Sequence, residues 1–95
     1  MKNVKKHEVE FLPEEYEALL SNRMVASVCG DFLASPRKRR GYMVLHLTEG
    51  QLEDLTGWVA AEANHAKTRE EEEVLGDVCD HLESFISGIR MRRKR

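Results

Sequence analysis

The stretch LTEGQLEDLTGWVAAEANHA, residues 47–66, carries the strongest folding instruction in this chain. Thr48 and Gln51 stand three apart, the spacing of a capping box. In that arrangement the threonine hydroxyl accepts from the Gln51 backbone N–H, and the glutamine side chain reaches back to the Thr48 N–H. Glu49 suits the positive end of the helix dipole. Behind the cap, Leu52, Leu55, Val59, Ala63 and Ala66 recur at three- and four-residue steps, the period of an amphipathic helix. At about 100° per residue, Trp58, Glu62 and His65 form a second stripe beside that face. Gly50 and Gly57 each cost about 1 kcal/mol relative to alanine. Packing must therefore supply what propensity does not, and Trp58 is expected in the core.

The flanking segments follow the same logic. His7–Leu12 alternates with His7, Val9 and Phe11 on one side, which predicts a short strand. Pro13 fits a first helical position, with Glu14 and Glu15 in its acidic first turn. Tyr16, Leu19, Leu20, Arg23, Met24, Ser27 and Val28 continue at helical spacing, and Val25, Cys29, Phe32 and Leu33 widen the apolar surface. One helix is expected from Pro13 onward, ended or kinked by Gly30 and Asp31 and stopped by Ser35-Pro36. Arg37–Gly41 reads as a charged, exposed loop. Tyr42–Leu47 has a period of two and predicts a second strand. Lys67–Arg69 breaks the chain before a last helix, capped by Thr68 with Glu70–Glu72 in its first turn, and buried through Leu75, Val78, Cys79, Leu82, Ile86 and Ile89 with Val74 and Phe85 at the flank. Past Gly88, IRMRRKR lacks a core face and is expected to fray.

The result is a single domain, 1–95, with residues 1–6 and 90–95 as flexible tails. It is a mostly α chain of three helices with one or two short strands, a small α+β fold in the order β-α-β-α-α. Val9–Leu20 and Val44–Leu55 echo each other as strand then helix. Two parallel strands alone make a poor sheet. Either a second copy completes it, or the extended pieces act as connectors around a helical core. A homodimer is expected on this ground and on the small core that 95 residues allow.

Charge and cysteine content narrow the function classes. The chain is 41% hydrophobic and 34% charged, as a folded soluble protein is. No apolar run nears the roughly 20 residues of a membrane span. The N-terminal MKNVKKHEVEF has no apolar signal region, so a cytoplasmic location without membrane attachment is expected. Cys29 and Cys79 match neither a disulfide framework nor a CxxC metal site, and read as buried free thiols. The formal charge is −2, but it is distributed as an acidic body with basic extensions.

Two constellations carry possible chemistry. Glu62-x-x-His65 places a carboxylate and an imidazole on one side of a helix, and Asp77-x-x-x-His81 is its nearest complement. In an antiparallel hairpin turning near Lys67–Thr68, Glu62 faces about residue 73. The mismatch to Asp77 is about four residues, or roughly 6 Å of rise, so a metal site made from Glu62, His65, Asp77 and His81 ranks last. Arg37, Lys38, Arg39 and Arg40, with Arg92, Arg93, Lys94 and Arg95, form basic runs able to neutralise phosphates in a salt-dependent way. They lack interleaved aromatics for base stacking apart from Tyr42.

Neither a phosphate-binding glycine loop nor a recognisable nucleophile setting is present, so no enzyme and no cofactor are expected. The leading expectation is a small protein-interaction or regulatory domain that self-associates and binds an as yet unidentified protein partner. Nucleic-acid association through the basic runs is the alternative.

Overall fold

A computed structural model describes residues 5–93, with the side chain of Arg93 excluded. The elements are β1 (Lys6–Phe11), α1 (Pro13–Ser21), α2 (Arg23–Leu33), β2 (Arg37–Arg39), β3 (Tyr42–Thr48), α3 (Glu49–Asn64) and α4 (Arg69–Arg93). The class is predominantly α with a small sheet, as the periodicities predict. The helix count differs, because the expected first helix is two.

Asn22 makes the break. Its backbone is extended, its side-chain oxygen accepts from the Val25 N–H at 3.0 Å, and it thereby caps α2. Asparagine is among the preferred N-caps because this bond satisfies one of the orphan donors of a helix start. The change of direction explains why Leu20, Met24 and Val28 are not core, as their spacing suggests. They are left between 43% and 45% exposed, while Tyr16, Leu19, Val25, Cys29 and Leu33 turn inward. Gly30 and Asp31 do not interrupt α2, which ends before Ser35-Pro36 as expected. Ser35 there takes the left-handed conformation (φ 58°). Tyr16 fixes the angle between the two helices by donating its buried hydroxyl to the Leu33 carbonyl at 2.7 Å.

The sheet corrects two further expectations. Arg37–Arg39 is a strand, and the order β1-β3-β2 is antiparallel throughout. The strand–helix–strand rise makes β1 and β2 run in the same direction, and a two-residue hairpin then returns β3 between them. The third strand therefore comes from the basic segment of the same chain, and the sheet needs no second copy. Arg40 and Gly41 form the turn with φ of 53° and 86°, the doubly positive geometry of the tight hairpin turns that match strand twist. Val9, Phe11, Leu45 and Leu47 face inward and are buried.

α3 begins with the complete capping box: Gln51 N–H donates to Thr48 Oγ1 at 3.0 Å and Thr48 N–H donates to Gln51 Oε1 at 2.9 Å. It packs along α4 through Leu52, Leu55 and Val59 against Leu75, Val78, Leu82, Ile86 and Ile89, with Trp58 half-buried against the same core. Thr68 caps α4 as expected, accepting from the Glu71 N–H at 3.1 Å. α4 does not fray after Gly88 but runs to Arg93. Ile89 is buried, and Arg90 forms ion pairs with Glu49 and Glu53 on α3 that tie its last turns down. At the other end, β1 already begins at Lys6. Residues 1–4, Lys94 and Arg95 lie outside the described residues. Among the described residues, no helix is long and apolar enough to cross a membrane.

A non-glycine residue in the left-handed region costs roughly 1–2 kcal/mol, and asparagine tolerates it best. Arg40→Asn is therefore expected to raise stability by roughly 0.5–1 kcal/mol in urea unfolding. A lowered midpoint would show that the hairpin does not form as described.

Candidate functional site

Two of the four metal candidates, Glu62 and His81, are engaged by side chains of other elements. Glu62 sits on α3, where its Oε1 accepts from the Asn22 side-chain N–H at 3.1 Å. Its role is to complete the Asn22 junction, so that one amide side chain both caps α2 and ties to α3. His65 is exposed and forms the C-cap of α3. Asp77 is exposed on α4. His81 Nδ1 lies 3.3 Å from Glu15 Oε2, and its ring packs against Phe11 at 5.4 Å between centroids. Among the described residues, no three His, Cys, Asp or Glu side chains are grouped to hold a metal ion.

The basic run on the hairpin is divided in the same way. Arg37, Lys38, Arg39 and Arg40 are all exposed, but Arg39 reaches across β3 to β1. Its guanidinium donates to both Glu8 oxygens, at 2.7 and 3.1 Å, and to Glu10 at 2.7 Å. Val44 sits beneath this lattice on the outward side of the central strand, only 1% exposed. Hydrogen bonding from Arg39 holds the Glu8 carboxyl below its ordinary pKa, and Arg39 is pushed upward in turn. Glu8 and Arg39 are both solvent-facing, so this lattice orients strands more than it adds stability. Arg92 is exposed near the end of α4. Arg93 closes the helix, and Lys94 and Arg95 fall outside the described residues.

The cysteines are both free; Cys29 is buried and Cys79 half-buried. Burial raises both thiol pKa values, with nearby acids adding to the effect. Raised thiol pKa values disfavour the thiolate that nucleophilic or metal chemistry would need.

What the sequence reading did not find is a groove between α1 and the start of α4, about 450 Å³ in volume. Pro13, Ala18, Val74 and Leu75 supply its apolar lining, and Glu14, Glu17, Glu70 and Glu71 its carboxylates. The helix-start signals at Pro13-Glu-Glu and Thr68-x-Glu-Glu-Glu were visible, but not that two acidic first turns come together. That proximity depends on the Asn22 break, and Asn22 itself lines the groove. Val74 and, at the far end of the same helix, Met91 are exposed, Met91 by 70%.

Two measurements follow. Asn22→Ala removes the cap and the Glu62 partner together and is expected to cost about 1–2 kcal/mol. Glu62→Gln keeps an acceptor and is expected to stay within about 0.5 kcal/mol of the parent. Equal losses in chemical denaturation would contradict this division of roles. For Glu8, a depressed folded pKa contributes stability that is present above the unfolded value of about 4.3. It is lost as pH falls through the lower folded value. Arg39→Gln should move the Glu8 titration, followed by carboxyl NMR, upward toward the ordinary glutamate range; an unmoved midpoint would show that Arg39 is not its cause.

Comparison with protein-family models, with curated proteins and with solved structures finds no match for this chain.

Proposed function

We propose that this chain is a small non-enzymatic interaction domain that self-associates and presents helical surface to a protein partner. The observation that carries the reading is the set of large apolar side chains left on helix surfaces: Leu20, Met24 and Val28 around the α1–α2 junction, and Val74 and Met91 on α4. Scattered apolar residues are ordinary on any protein surface. Here two of them, Met24 and Val28, stand one turn apart on one helix, and Val74 borders an apolar groove. Helix faces of this kind are the usual docking elements of small regulatory domains. A cytoplasmic setting fits free cysteines.

Nucleic-acid association is the second reading, supported by the exposure of Arg37, Lys38 and Arg40 on one hairpin and of Arg92 on α4. Arg39 contributes less to it, being committed to Glu8 and Glu10. Electrophoretic shift of DNA and RNA at low salt tests that reading, and absence of any shift removes it.

Sedimentation velocity or light scattering after size exclusion, over a wide concentration range, should return a reversible dimer. A monomer at every concentration would overturn self-association.

A further inference from the structure

Resting on the self-association reading, we infer that the groove between α1 and α4 receives the C-terminal turns of α4 from a second copy of this chain. The groove offers an apolar floor with four carboxylates, Glu14, Glu17, Glu70 and Glu71. The end of α4 offers the complementary chemistry: Met91, 70% exposed, followed by Arg92, Arg93, Lys94 and Arg95 in the sequence. Arg90 is excluded from the set because Glu49 and Glu53 of its own chain engage it.

The described end of α4 does not reach the groove of its own chain. Both features lie on α4, one at each end of an element of 25 residues. Residues 70 and 93 are therefore about 35 Å apart along the axis. A second copy reaches it, and reciprocally. Two α4 helices laid antiparallel bring each acidic start against the other's basic end, so that one twofold operation makes the same contact twice and the assembly closes. The register that sets Val74 opposite Met91 of the second copy also sets Asp77 opposite Gly88 and His81 opposite Ser84. These positions, 74, 77, 81, 84, 88 and 91, alternate three- and four-residue steps and share one side of the helix. Along that line Asp77 and Ser84 are exposed and His81 and Gly88 half-exposed. No carboxylate meets a carboxylate in this register. The methionine covers an exposed valine, and both apolar side chains leave water together.

Charge reversal on the full chain tests the pairing. Glu17→Arg with Glu70→Arg makes the groove basic; Arg92→Glu with Arg95→Glu makes the tail acidic. Each double variant alone is expected to lose self-association by roughly tenfold or more in dissociation constant, since it sets like charges together. An equimolar mixture is expected to recover a heterodimer, because the basic groove then meets the acidic tail and the acidic groove the basic tail. The wild-type dimer should also weaken between about 0.1 M and about 1 M salt, as the Debye length falls from about 10 Å to about 3 Å. Arg37→Glu with Arg40→Glu on the hairpin should leave dimerisation unchanged. A wild-type dimer that survives either reversal, or reversed variants that do not recover on mixing, overturns the groove assignment while leaving self-association standing. Loss caused by the hairpin pair instead of the tail pair overturns it as well. A wild-type chain that is monomeric throughout overturns the self-association reading itself. Should circular dichroism show that a reversed variant has lost its helices, the neutral pairs Glu17→Gln/Glu70→Gln and Arg92→Gln/Arg95→Gln replace it. Each is then expected to weaken the dimer, and an unchanged dimer overturns the inference.

Discussion

The hydrogen bonds of Asn22 are the constraint on which the arrangement of this molecule depends. A polar side chain this deeply buried is costly unless its donors and acceptors are satisfied. Here Oδ1 takes the Val25 N–H and Nδ2 gives to Glu62. The first bond stops α1 and starts α2 in a new direction; the second fixes that corner to α3. This corner turns Val25 and Cys29 inward and brings α1 against the start of α4. Tyr16 secures the other end of the same angle through the Leu33 carbonyl.

Local signals were legible where the relevant partners lie within one turn. The Thr48/Gln51 capping box, the Thr68 cap, the Pro13 start and the Ser35-Pro36 stop all depend on contacts spanning three or four residues, and all stand in the structure. Long alternations such as Val9/Phe11 and Leu45/Leu47 were equally readable, because one face is buried. What escaped was decided by distant groups. Arg37–Arg39 has neither β-branched nor aromatic residues, and it becomes a strand because β3 offers it a free edge and Glu8 and Glu10 receive Arg39. Asn22 lies inside a run of good helical spacing, and nothing local distinguishes a solvent-facing asparagine from a capping one. In the last turns of α4 only Ile89 was legible as a core residue, and what also holds them is the long-range pairing of Arg90 with Glu49 and Glu53 on α3.

The candidate site was legible only in its parts. Glu62 and His81 stood out as residues of chemical interest, and each has a specific polar partner, Asn22 and Glu15. Their partners are structural ones on other elements, so the pattern that resembled a ligand pair marks two separate junctions. The acidic first turns were read as helix-dipole complements, which they are. Their second property, a shared groove, arises only from tertiary placement. The chain therefore separates charge along one helix, negative at the start and positive at the end, in line with the dipole at both termini.

The edge strand β2 has a consequence for assembly. Open sheet edges invite a further strand from a neighbouring molecule, and proteins discourage this with charge. β2 is three residues long and every one is cationic, so two copies cannot set this edge against itself without bringing like charges together. A short, self-repelling edge therefore discourages strand addition at β2, the cationic one of the two edges of the sheet. The same basic residues that make the hairpin look like an adhesive segment set like charges together wherever two copies of this edge meet.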